Sequence, residues 1–128
     1  FDLDGVCCGS TICYDLRFPE LFRHQALAGA QIIFCPAEWP KARGDIWYLL
    51  SQARAAENHI FMVAVNCAGT FKKAPFYGHS MVVAPSGKIL AEGGMDEEII
   101  SCTIDLDEIG KVRKHLNALA DVRKELIK

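Results

Sequence analysis

The chain has 128 residues, 51% of them apolar, with 14 basic and 16 acidic side chains and a net charge of −2. This is enough for one domain, or part of one, with a real core. The balanced charge offers no basic face to nucleic acid or to an anionic bilayer, no apolar run approaches the ~20 residues of a membrane span, and no signal-peptide pattern opens the chain.

In chain order, Val6–Cys13 reads as a buried strand, preceded by a hairpin or strand at Phe1, which is expected not to be a natural N-terminus. Phe18, Leu21, Phe22, Gln25 and Ala26 follow helical spacing, Pro19 falls in the first turn, and Gly29 suits the position after the helix end. Gln31–Cys35 is a second strand, and 36–44 is a loop rich in breakers. Ile46, Leu49, Leu50, Ala53 and Ala56 predict a second amphipathic helix from Asp45 to about Asn58, followed by a third strand, Ile60–Asn66. Alternating strands and helices imply parallel pairing through right-handed crossovers. Residues 69–78 form a loop in which Lys72 and Lys73 are expected to be solvated. His79–Ala84 and Lys88–Glu92 flank Pro85-Ser86-Gly87 as a hairpin, and Glu98–Ile104 alternates as another strand. Asp107 is placed to cap a last helix carrying Ile109, Val112 and Leu116 on one face, and no firm pattern covers 119–128. A mixed sheet with helices on one face leaves its other face apolar and in need of a second layer.

There are six cysteines, and apart from Cys13 they are expected to be buried and inert within apolar strand patterns. No C-x-x-C pair points to zinc, and the apolar composition has no need of disulfides, so a reducing, cytoplasmic setting is expected. Cys13 is different. It falls between an apolar strand and a helical pattern, at a sharp turn where amide N–H groups favour a thiolate and can face a developing oxyanion. Asp15 and Arg17 flank the turn and are read as ordering it. His24, His59, His79 and His115 would permit a Cys–His protease, but no protease signature surrounds Cys13. His59, at a helix end, is expected to suit a cation. Arg54 and Glu57 lie three apart on the second helix and are expected to pair.

The segment Ile12-Cys13-Tyr14-Asp15-Leu16-Arg17-Phe18-Pro19-Glu20 resembles the nucleophile segment of the nitrilase superfamily, the carbon–nitrogen hydrolases. The resemblance continues through Pro36-Ala37-Glu38-Trp39-Pro40, Ala53-Arg54-Ala55-Ala56-Glu57-Asn58, Gly78-His79-Ser80 and Ile104-Asp105-Leu106, in the family's order, and so spans nearly the whole chain. Cys7-Cys8-Gly9-Ser10 is an unusual approach to the nucleophile, and 121–126 matches the family's charged tail imperfectly.

The resemblance implies an α/β fold, part of an αββα sandwich with a mixed sheet and helices on one outer face. Residues 1–128 would then be the C-terminal portion of a single carbon–nitrogen hydrolase domain. It implies Cys13 as nucleophile, the Tyr14 backbone N–H as oxyanion donor, and Glu38 and Trp39 beside the substrate. The family's catalytic glutamate and lysine are expected in the portion preceding this chain, so the fragment alone is expected to be inactive. The expected reaction, in an ω-amidase-like branch, hydrolyses a small amide to an acid and ammonia through an acyl-thioester, without cofactor or metal. A short dicarboxylate amide is the expected substrate, and the complete protein is expected to be a homo-oligomer. Two alternatives stay open: a catalytically silent structural half, and a nitrilase or carbamoyl-amide hydrolase of the same family.

Overall fold

The computed structural model describes residues 1–123 and 125. A short hairpin, β1 (Asp2–Leu3) and β2 (Val6–Ser10), begins the chain, with Asp4 and Gly5 at positive φ in its turn. A 3₁₀ turn, Cys13–Arg17, leads into α1 (Pro19–Leu27). Then follow β3 (Ile32–Ala37), α2 (Gly44–Asn58) and β4 (Phe61–Asn66). A two-stranded excursion, β5 (Thr70–Phe71) and β6 (Ala74–Pro75), carries Lys72 and Lys73, both exposed, in its turn. The chain closes with the β7 (Met81–Val83) and β8 (Ile89–Glu92) hairpin and α3 (Asp107–His115).

The main sheet has the order β1-β2-β3-β4-β7-β8. The β2, β3 and β4 strands are parallel; β4, β7 and β8 are antiparallel. Period-two alternation sorts the strand residues to two faces. On one, Ile33, Cys35, Met62, Ala64, Met81 and Val83 pack with Phe22 and Trp47 of α1 and α2, all at most 1% exposed. On the other, Cys8, Ile32, Phe61 and Ala84 pack with Ile109, while Val65 remains 50% exposed. The second face therefore takes α3 at one end and leaves Val65 open towards the C-terminal end of β4.

The helix ends follow local rules. Pro19 occupies the first turn of α1, and Gly29 at φ +103 lets the chain reverse towards β3. Three expectations need correction. Glu98–Ile104 forms no ladder: the chain turns away after β8, the Gly94 N–H donates to Glu98 Oε1, and Ile99 is 98% exposed. Asp107 does not cap α3; Asp105 does, accepting the Asp107 N–H at 2.9 Å and pairing with Lys111 at 3.0 Å. The Val6–Cys13 strand stops at Ser10, because the chain must turn out of the sheet to enter the 3₁₀ segment. The tail likeness at 121–126 includes positions outside the described residues.

Candidate active site

Cys13 opens the 3₁₀ segment with φ +46, the left-handed region that a non-glycine residue enters at a cost of roughly 1–3 kcal/mol. Neighbours on both sides hold it there. The Thr11 N–H donates to Phe34 O at 2.9 Å, which fastens the chain to β3 just before the turn. Asp15 and Ile12 bond reciprocally: the Ile12 N–H donates to Asp15 Oδ2 and the Asp15 N–H to Ile12 O, both at 2.9 Å. Asp15 is thus the ordering residue expected of it. Arg17 makes no ion pair with it; its guanidinium lies 5.0 Å from the Trp39 ring centroid and 5.8 Å from that of Tyr14.

Behind the turn stands Arg54 of α2, 5% exposed. Its Nε donates to Leu16 O at 3.1 Å, its NH1 meets Glu57 Oε1 at 2.9 Å, and its guanidinium lies 5.6 Å from the Phe22 ring centroid. The predicted Arg54–Glu57 pair is present, and it also props the segment that carries the cysteine. From α1, Gln25 Nε2 reaches Ser10 O at 3.2 Å. A Cβ at Gly9 would meet Gln25 Oε1, so a larger residue there would require the Gln25 amide to swing aside.

Cys13 is half-buried, packed on one side against the helix-covered core, and lines an open hollow of about 390 Å³ with Ile12, Pro36, Ala37, Glu38 and Cys67. The hollow lies at the C-terminal ends of β2, β3 and β4, the end at which parallel sheets gather ligands. Tyr14, second in the 3₁₀ turn, has its N–H among first-turn amides, which lack acceptors within the helix. Glu38 is exposed on the hollow's rim.

Trp39 is placed differently from expectation. It is 3% exposed, with its indole in the core 5.5 Å from the Trp47 ring and its Nε1 donating to Arg43 O at 2.7 Å. Alternation explains this: at the end of β3, Glu38 and Trp39 point to opposite sides, and the large ring takes the helix-covered face. It supports Arg17 from below and does not line the hollow.

The other cysteines also divide. Cys8 and Cys35 are buried, and burial pushes both thiols above their ordinary pKa. Cys67 and Cys102 are exposed, against the expectation that all five would be hidden, and Cys67 shares the hollow with Cys13. His59 departs from its reading too. It is 5% exposed, and its pKa is lowered by burial and then by the nearby Arg113 and Arg23, so a neutral ring is favoured at this helix end. His24 is exposed on α1, and His79 is engaged elsewhere, with Nδ1 2.9 Å from the Tyr48 hydroxyl and 2.8 Å from Glu92 Oε1.

Residues 1–114 match the family model described as carbon–nitrogen hydrolase. The chain belongs to the carbon–nitrogen hydrolase family. It is 46% identical over 126 residues to a 2-oxoglutaramate amidase of Bacillus subtilis (strain 168), covering 98% of this chain and 49% of that protein. It is also 35% identical over 119 residues to an omega-amidase of Xenopus laevis, covering 91% of this chain and 43% of that protein. Among solved structures, a carbon–nitrogen hydrolase from Helicobacter pylori G27 superposes with a TM-score of 0.87 at 28% identity, covering 94% of this chain and 49% of that one. An amidase from Nesterenkonia sp. AN1 gives 0.85 at 29% identity, covering 98% and 44%; that structure carries the acetamide moiety of fluoroacetamide on its active-site cysteine. The chain spans about half the length of the curated relatives it matches. The α/β fold expected from the resemblance, a mixed sheet with covering helices, is present and superposes on carbon–nitrogen hydrolase structures.

Proposed function

We propose that this carbon–nitrogen hydrolase chain is the C-terminal portion of an amidase domain and that Cys13 is its nucleophile. The single observation that carries the reading is the Cys13 geometry: a strained left-handed residue just past a strand's end, in the lining of an open hollow. A thiolate there attacks the amide carbon, and negative charge develops on the former carbonyl oxygen. The Tyr14 N–H donates to that oxygen, together with a lysine from the preceding portion of the domain. When the tetrahedral centre collapses, the C–N bond breaks and ammonia leaves with a proton delivered by a glutamate, also from the preceding portion. Water then cleaves the thioester, releasing the acid and restoring the thiol. Glu38, on the rim, accepts a hydrogen bond from the substrate's amide or a neighbouring polar group.

Amidases among the relatives support the reaction class, and the 2-oxoglutaramate and omega-amidase relatives support a small ω-amide of a dicarboxylate as substrate. No helix among the described residues is long and apolar enough to cross a membrane. The six free thiols fit a reducing compartment such as the cytoplasm, the setting proposed here. In the complete protein, Cys13→Ser should abolish ammonia release from a small ω-amide while leaving circular dichroism unchanged. Retained turnover would refute the assignment.

A further inference from the structure

Glu38 is bracketed. The peptide before it is held by the Ala37 carbonyl, which accepts the Cys67 N–H at 2.9 Å. The peptide after it is held by the Trp39 N–H, which donates to Asn66 Oδ1 at 2.6 Å. Both fasteners come from one dipeptide, Asn66-Cys67, at the end of β4. Asn66 is 7% exposed and engaged on every side. Its Nδ2 donates to Gly78 O at 2.9 Å, its main-chain N–H to Ser80 Oγ at 2.9 Å, and its main-chain carbonyl accepts from Ser80 Oγ at 3.2 Å. Gly78 is itself fixed: φ is +65, a Cβ would stand 2.5 Å from Gly94 O, and its N–H donates to Cys67 O at 3.1 Å. The Glu38 rim is therefore clasped by a side chain that is anchored to a corner unable to shift.

We infer that Asn66 is a positioning residue that sets the Glu38 rim of the hollow opposite Cys13, and so governs how tightly the amide is held without governing the nucleophile. The separation of roles follows from the anchors. The Cys13 turn hangs on the Thr11 N–H bond to Phe34 of β3, on Asp15 within the turn and on Arg54 of α2, hydrogen bonds in which Asn66 takes no part; its link to the clasp is the contact of Arg17 with the Trp39 ring. A buried amide that loses both its acceptor and its donor role releases the Trp39 N–H and the Gly78 carbonyl together. The 38–39 peptide is then free to drift, and Glu38 loses its fixed place for a hydrogen bond to bound substrate.

This inference rests on the proposed role of Glu38 at a Cys13 site. Its test uses the complete protein and compares Asn66→Leu with Asn66→Asp, which keeps the acceptor for Trp39. Asn66→Leu should raise KM for a small ω-amide about tenfold or more, with kcat changed less than about threefold. Iodoacetamide labelling of Cys13 should proceed at the wild-type rate. Asn66→Asp, which keeps the acceptor for the Trp39 N–H but loses the donor to the Gly78 and Trp39 carbonyls, should recover part of the lost KM. If the leucine variant does not fold, Asn66→Ser, too short to reach either partner, carries the same expectation. An unchanged KM, equal losses in the aspartate and leucine variants, or a joint fall of kcat and Cys13 labelling would overturn the inference. Failure of the underlying reading shows separately, as turnover that survives Cys13→Ser.

Discussion

Replacing Arg54 by methionine tests whether the Cys13 turn is held from behind. Methionine keeps most of the apolar volume against Phe22 but removes every donor. The bond from Nε to Leu16 O is buried and charge-assisted, and such bonds contribute roughly 1.5–3 kcal/mol. The pair with Glu57 adds little, because that carboxylate is 36% exposed and screened by water; about 0.5 kcal/mol is a fair allowance. Contact with the Phe22 ring adds roughly 0.5–1 kcal/mol, offset by relief of the cation's desolvation. The net expectation is a loss of about 2 kcal/mol in urea unfolding of the complete protein, with unchanged m-value. The loss should be local in its chemistry: Leu16 lies within the segment Cys13 opens, so Cys13 alkylation should slow several-fold. A double-mutant cycle with Glu57→Gln should return a coupling below about 1 kcal/mol. A destabilisation under about 0.5 kcal/mol with normal Cys13 labelling would refute the idea that Arg54 props the turn.

Two further outcomes are expected. Gly78→Ala should destabilise the complete protein by about 2 kcal/mol or more, since the new Cβ meets Gly94 O at 2.5 Å and φ is +65; a melting temperature within a degree of wild type would contradict this. His59 has a pKa below its ordinary 6.5, so the unfolded chain binds the proton more readily and stability rises with pH through this window. Stability should fall as pH drops below about 6.5, and His59→Gln should flatten that part of the profile in denaturant titrations from pH 5 to 8. An unchanged slope in the variant would show that other groups set it.

Much of this architecture was legible because its signals were local. Helical spacing after Phe18, Pro19 at the helix start and Gly29 at its end located α1 without knowledge of its partners. The Gly87 turn, with its N–H donating to Ala84 O at 2.8 Å, placed the β7–β8 hairpin. The strand–turn–helix passage made Cys13 conspicuous, and it does line a hollow. What escaped was set by tertiary context. Trp39 and Glu38 are adjacent, and only the covering helices decide which of them meets solvent. Cys67 looked like another small hydrophobe, but it stands one residue beyond β4 at the ligand-gathering end of the sheet. Asn66 had the same signal, a polar residue closing an apolar strand, and its importance appears only when the partners 27 residues and 12 residues away are seen. Glu98–Ile104 alternates correctly and still forms no strand ladder among the described residues, since alternation reports a potential to add to an edge and not the presence of one.

In the main sheet, the six strands stand side by side in the sequence in which they occur along the chain, with only the small β5–β6 excursion left out. During synthesis, each new strand can therefore dock on a border that already exists, and no earlier pairing has to open to admit a later one. Assembly of this kind ties the thiol-bearing turn to β3 once β3 has docked on β2, and Arg54 of the next helix then closes behind it before the final hairpin emerges.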